Sequence, residues 1–152
     1  MRAPLSCCSR DCSARKGRPM RSASIIGWTG GVALLLIAGG YTWNYLDAQR
    51  QVATRAHLLT GGDPVRGWQL IQQYGCGGCH TIPRVPQAAG KVGPPLSGVG
   101  ERVYLAGRLE NRPENLIAWV QHPRAVDPQT AMPELGVTEP QARDIAAYLY
   151  TL

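Results

Sequence analysis

The chain has 152 residues with 18 glycines and 12 prolines, enough for one modest domain with appendages. Its net charge of +6 is localised. Residues 1–21 carry a net of +5, whereas 47–152 hold ten basic and nine acidic side chains, so no basic face points to nucleic acid. The five cysteines fall into two separate groups, 7/8/12 and 76/79, which is not the pattern of a disulfide framework.

Residues 1–21 form a basic leader with little to pack, expected on the cytoplasmic side and disordered. Met20 offers an alternative start, so 1–19 are expected to be disordered or absent. The spacing of Cys7, Cys8 and Cys12 matches no zinc pattern.

Residues 22–46 carry no charge and centre on Val32-Ala33-Leu34-Leu35-Leu36-Ile37. A helix over those 25 residues rises ~37 Å, sufficient to cross a ~30 Å hydrocarbon core with some tilt. Trp28 lies near one end, and Tyr41, Trp43 and Tyr45 near the other, as interfacial aromatics do. The stretch exceeds a signal-peptide core and ends in bulky side chains, so a retained transmembrane anchor is expected over a cleaved signal. The preceding basic residues put its N-terminus in the cytoplasm and everything after Asp47 outside. Residues 47–62 then read as a polar linker, helical up to Gly61-Gly62, whose reach if flexible is ~20–24 Å.

Residues 63–152 show three helix patterns and no convincing alternating strand. In the first, Asp63 is a natural N-cap and Pro64 suits the first helical position. Gly67, Leu70, Ile71 and Tyr74 then share one face. The second starts at Pro113, is expected to bury Leu116, Trp119 and Val120, and stops before Pro123. The third opens with a capping box from Thr138 to Gln141 and aligns Ala142, Ile145, Ala146 and Leu149, with Tyr148 beside them. The connections 81–112 and 123–137 are long for so small a domain, so something besides side chains must fill its centre.

That filler is announced by Cys76-Gly77-Gly78-Cys79-His80, the C-x-x-C-H signature of haem c attachment. Two thiols bond the two vinyl groups on one porphyrin edge, and the next residue presents its imidazole to the iron. Zinc would require two further ligands, and no second cysteine pair follows. A thioredoxin-like pair would require a βαβ context that this helical stretch lacks. One covalent haem c per chain is therefore expected. The one methionine after His80 is Met132, in a proline-bounded loop 52 residues on, and a thioether there suits the opposite side of the iron. His122 is the rival ligand, though it precedes a proline at a helix end. His57 lies in the linker.

These motifs occur in a familiar order. Gly67…Leu70…Gly75-Cys76-Gly77-Gly78-Cys79-His80 is followed by Gly93-Pro94-Pro95-Leu96, Ala131-Met132-Pro133 and Ile145-Ala146-Ala147-Tyr148-Leu149. Together they resemble a class I mono-haem cytochrome c over residues 63–152. The resemblance implies an all-α cytochrome c fold, here with an N-terminal transmembrane helix, in which the first and last helices cross where Gly67 meets Tyr148. It implies that Pro94 accepts a hydrogen bond from His80, that Leu96 belongs to the cofactor site, and that His80 and Met132 are the iron ligands. Ala106-Gly107-Arg108-Leu109 and Val126-Asp127-Pro128-Gln129-Thr130-Ala131-Met132-Pro133 are similar to membrane-anchored cytochromes associated with bacterial haem–copper oxidases.

A six-coordinate iron leaves no position for substrate, so the expected function is single-electron carriage, not enzymology. The expected partner is a membrane-bound respiratory complex, either a terminal oxidase or a quinol-oxidising donor. The alternative is a peroxidase-like haem enzyme or gas sensor, which would need a distal acid–base group such as Arg108, Arg112 or His122.

Overall fold

The computed structural model describes residues 22–152, with side chains from Gly30 onward. The basic leader 1–21 lies outside the described residues. Contacts divide the chain into two units, with the boundary between Tyr41 and Thr42.

Helix α1 runs from Ser22 to Thr60. In the first unit its described apolar side chains, including Leu34, Leu35, Leu36 and Ile37, are exposed. Among the described residues no helix is long and apolar enough to cross a membrane. The expected transmembrane span 22–46 therefore has no support among them, and from Gly30 to Leu46 four glycines with Thr42 and Asn44 dilute the apolar run.

In the second unit, the segment expected as a linker is helical to Thr60, and its last turns are packed. Ala56 and Thr60 are each 1% exposed. The Thr60 hydroxyl donates to the Ala56 carbonyl (2.8 Å) and accepts from the Gly62 N–H (3.1 Å). Arg143 donates to the Thr60 carbonyl (3.1 Å), satisfying one of the acceptors that a helix leaves open at its C-terminus. The polar composition of 47–62 conceals this docking because much of it is made by backbone groups.

Helix α2 covers Pro64–Gln73, with the Asp63 carboxylate accepting from the Val65 N–H at 2.8 Å and Pro64 at the first helical position. Helix α5 covers Glu139–Leu149, and the Gln141 side chain reaches back to accept from the Thr138 N–H (3.0 Å). The same amide oxygen accepts from the Tyr74 hydroxyl (2.8 Å), so the start of α5 is tied to the end of α2. The two helices pack closely because residue 67 has no side chain. A Cβ there would fall on the Asp144 carbonyl and lie 2.9 Å from the Tyr148 Cβ. The buried Asp144 carboxylate accepts from the Asp63 N–H (2.7 Å) and pairs with Arg66 (3.3 Å), binding the crossing electrostatically as well.

Helix α3, Pro113–Gln121, packs on α5 through buried Leu116, Ile117 and Val120. Trp119, expected to be buried, is only half-buried. Its side of the helix borders a cavity, and Ile117, which does not line that cavity, is the buried residue beside Leu116. Pro123 ends α3 and starts a four-residue helix, α4 (Pro123–Val126), so 123–137 is not all loop. A proline lacks the N–H that a helix interior needs and suits the first helical turn, where that N–H has no partner.

The connection 81–112 also holds more structure than expected. A two-residue hairpin, β1 (Tyr104–Leu105) and β2 (Leu109–Glu110), pairs Tyr104 with Glu110 and Leu105 with Leu109 around a turn at Ala106-Gly107. Two residues per strand are too few to show alternation. Residues 81–89 are fastened to the helices by Trp68 Nε1 donating to the Arg84 carbonyl (3.0 Å) and Tyr148 donating to the Pro83 carbonyl (2.9 Å). The Arg84 guanidinium lies 5.9 Å from the Tyr148 ring centre, within range of a cation–π contact.

Candidate cofactor site

The second unit encloses a cavity of about 490 Å³, within the range of small-molecule and cofactor sites. Its wall is mostly apolar. Ile71 comes from α2 and Tyr74 from its C-terminal cap, Leu116, Trp119 and Val120 from α3, and Ile145 and Leu149 from α5. Residues from the long connections complete it, which is why those connections can be long without a side-chain core beneath them.

Cys76, Cys79, His80, Pro94, Leu96 and Met132 all line this one cavity. Cys76 opens a single 3-10 turn, Cys76–Gly78, and the His80 N–H donates to the Cys76 carbonyl (3.0 Å), so both thiols and the imidazole lie on one tight turn. The two cysteines are not joined to each other. Burial pushes the Cys76 thiol above its ordinary value, with a backbone hydrogen bond opposing the rise and Cys79 adding to it. Among the described residues no three His, Cys, Asp or Glu side chains cluster as metal donors, so the zinc reading of the pair has no further ligands.

His80 is held in one orientation. Its Nδ1 lies 2.8 Å from the Pro94 carbonyl oxygen. A carbonyl only accepts, so Nδ1 carries the proton and the Nε2 lone pair is left for a metal. Segment 93–96 is sewn along 79–81 by the Gly93 N–H to the Cys79 carbonyl (2.8 Å) and the Leu96 N–H to the Thr81 carbonyl (2.9 Å). Residue 93 crosses so close to the imidazole that a Cβ there would lie 2.6 Å from Nδ1. Met132 is half-buried, and its N–H donates to the Thr130 hydroxyl (3.2 Å).

Several wall residues escape sequence reasoning. Arg102 is the one cationic side chain on the wall among the described residues, and its guanidinium donates to the Pro95 carbonyl and to the Ser97 carbonyl (3.1 Å). Asp127 and Thr130 line the same cavity, as do Leu105 and Ala106 of the hairpin. Arg102 sits in a glycine-rich stretch without periodicity, so no pattern places it.

The groups considered as distal acid–base residues are elsewhere. Arg112 pairs with Glu110 (2.6 Å), Arg108 with Asp127 (3.3 Å), and exposed His122 lies 3.5 Å from Glu134. None of the three lines the cavity. His57 hydrogen-bonds the Gly62 carbonyl (2.8 Å) at the end of α1.

The residues on the wall fit a covalently held porphyrin. Two thiols and an oriented imidazole stand on one tight turn, a thioether lines the same space, and apolar side chains surround them. The family model described as Cytochrome c matches residues 64–152. Cytochrome c2 of Rhodopila globiformis is 36% identical over 104 residues, covering 60% of this chain and 94% of that protein. Cytochrome c oxidase subunit 2 of Alkalihalophilus pseudofirmus is 35% identical over 88 residues, covering 57% of this chain. The same subunit of Bacillus sp. strain PS3 is 33% identical over 95 residues, covering 59% of this chain. The matching region spans only about a quarter of those oxidase subunits, 25% and 27% of their lengths. No solved structure matches the chain.

Proposed function

We propose that this chain, which belongs to the cytochrome c family and carries one covalent haem c as an electron carrier and not an enzyme, is held at a bacterial cytoplasmic membrane and passes single electrons to a terminal oxidase. One observation carries the site assignment, namely that Cys76, Cys79, His80 and Met132 line one apolar cavity.

Bound in that cavity, the haem supplies a one-electron couple. The work of the chain is to hold and tune it. Cys76 and Cys79 would form the thioether links. His80 would offer Nε2 to the iron, with the Pro94 carbonyl fixing the ring through Nδ1. Met132 would offer a neutral thioether to the iron. Leu96, Val99, Leu116 and Val120 would keep water from the cofactor, and such burial is one of the protein's means of setting the potential. Arg102, held by the Pro95 and Ser97 carbonyls on the wall, would offer a positive charge to the porphyrin's carboxylates.

The oxidase reading is supported by similarity to proteins named as oxidase subunits. The membrane reading is supported by the uncharged, aromatic-flanked residues 22–46 and the basic leader before them. In it the N-terminus is cytoplasmic and the haem domain periplasmic. The near-balanced charge of 47–152 argues against strong long-range steering, which a carrier confined beside its acceptor does not need.

Membranes containing this protein, washed with carbonate, should retain its haem, and acid–acetone should leave the haem on the polypeptide. After addition of a quinol donor, membranes stripped of terminal oxidase should hold the haem reduced in air. Release by carbonate would refute the anchor, and normal reoxidation without oxidase would refute the acceptor.

A further inference from the structure

The two sides of the cavity are secured unequally. The His80 side is fixed by the sewn segments 79–81 and 93–96, but residues 127–133 on the Met132 side contain no helix or strand. Their hydrogen bonds are local. The Asp127 N–H donates to the Pro123 carbonyl (2.9 Å) and the Thr130 N–H to the Asp127 carbonyl (3.0 Å). The Gln129 N–H donates to Asp127 Oδ1 (3.1 Å), and the Met132 N–H to the Thr130 hydroxyl (3.2 Å). These bonds shape the loop without fixing where it stands relative to the rest of the domain.

Among the described residues, one polar contact of 127–133 reaches a distant element. Arg108 Nε lies 3.3 Å from Asp127 Oδ2. The carboxylate thus divides its oxygens, Oδ1 closing its own loop and Oδ2 holding the hairpin. Arg108 ends the hairpin turn, where its N–H donates to the Leu105 carbonyl (3.0 Å). Leu105 is buried and, with Ala106, lies on the cavity wall. Asp127 is on that wall too, its side chain 18% exposed against 58% for Arg108. Pro128 and Pro133 restrict the backbone on either side of the methionine, so movement of Asp127 is passed along the loop.

We infer that Arg108 and Asp127 are positioning residues that clip the methionine loop to the hairpin and keep the Met132 thioether on the iron. The inference rests on Met132 being the axial ligand. It requires no change in the ionisation of either group, and its effect is on how readily the methionine leaves.

The test uses the full-length, haem-loaded protein as wild type, Arg108→Ala, Arg108→Lys and Asp127→Asn. Asparagine keeps an acceptor for the Gln129 N–H and removes only the charge, while Arg108 is exposed enough for its variants to keep the fold. Two readouts are taken on the oxidised protein. One is the methionine-to-iron charge-transfer band, and the other is the affinity for added imidazole, which must displace the methionine. Arg108→Ala and Asp127→Asn should bind imidazole about two- to five-fold more tightly, the range that an ion pair of this exposure provides. Arg108→Lys should fall back towards wild type, and high salt should bring wild type towards Arg108→Ala. Equal imidazole affinity in wild type and Arg108→Ala, with the band intact in both, overturns the clip and leaves Met132 as ligand. A wild-type protein without the band overturns the ligand assignment, and the clip falls with it.

Discussion

Replacing Gly67 with alanine tests whether the close crossing of α2 and α5 supports the domain. The added Cβ would fall on the Asp144 carbonyl and lie 2.9 Å from the Tyr148 Cβ. The carbonyl is backbone and cannot rotate aside, so the helices must part. Overpacking of this kind costs about 1–3 kcal/mol. A gap of about 0.5–1 Å also forfeits a quarter to a half of the attraction between each facing atom pair. Alanine's better helix propensity returns about 1 kcal/mol. The net loss expected is about 1–2 kcal/mol, or a fall in Tm of roughly 4–15 °C for a domain of this size. Thermal unfolding of the haem-loaded protein, followed by circular dichroism, measures it. Val65→Ala on the exposed side of the same helix is the control and should stay within about 0.5 kcal/mol of wild type. A Gly67→Ala protein as stable as wild type would refute the reasoning, because the crossing would then have room that its geometry denies.

Met132→Ala should lower the reduction potential and let carbon monoxide bind the reduced haem, and an unchanged potential would point to another axial ligand. Asp144→Ala leaves the Asp63 N–H and Arg66 without their shared acceptor, so a loss of about 1–3 kcal/mol in urea unfolding is expected, with faster proteolysis at Gly61-Gly62. Burial raises the Tyr148 and Tyr150 hydroxyls above the ordinary range, opposed by Arg84 at the first and reinforced by Glu114 at the second. The unfolded chain therefore ionises them first, and their contribution to stability is complete below about pH 10 and lost as pH rises through the folded values. Tyr148→Phe should flatten the alkaline decline in the urea midpoint, and an unchanged slope would place its cause elsewhere.

What could be read from the sequence were features with local physical signatures. Asp63-Pro64 and Thr138…Gln141 mark helix starts because capping acts over three or four residues, and both helices begin there. Cys76, Cys79 and His80 could be named because attachment chemistry sets their spacing, and Met132 because it stands alone after them. The features that escaped depend on distance in the chain. Arg143 meets Thr60 across 83 residues, and Asp127 meets Arg108 across 19, with no periodicity to announce either. Trp119 was misplaced because an apolar face looks the same whether it meets another helix or a cofactor cavity. The hairpin at 104–110 is simply too short for a pattern.

The architecture divides the duties of the proposed ligands. On the His80 side, two covalent links, a tight turn and the segment 93–96 hold the imidazole, so its release would require much of the domain to open. On the Met132 side the backbone bonds of 127–133 are local, and among the described residues one half-solvated ion pair ties that loop to the hairpin. Regions with few buried contacts and local hydrogen bonds open at lower free energy than helices packed in a core. The methionine loop is therefore the weaker half of the cavity, although α3 and α5 behind it are well packed. A carrier with no substrate to bind gains nothing from such an opening, since it would admit water and other ligands to the iron. A charge pair whose arginine lies off the cavity wall counters it, and Asp127 is the member of the pair that stands on that wall.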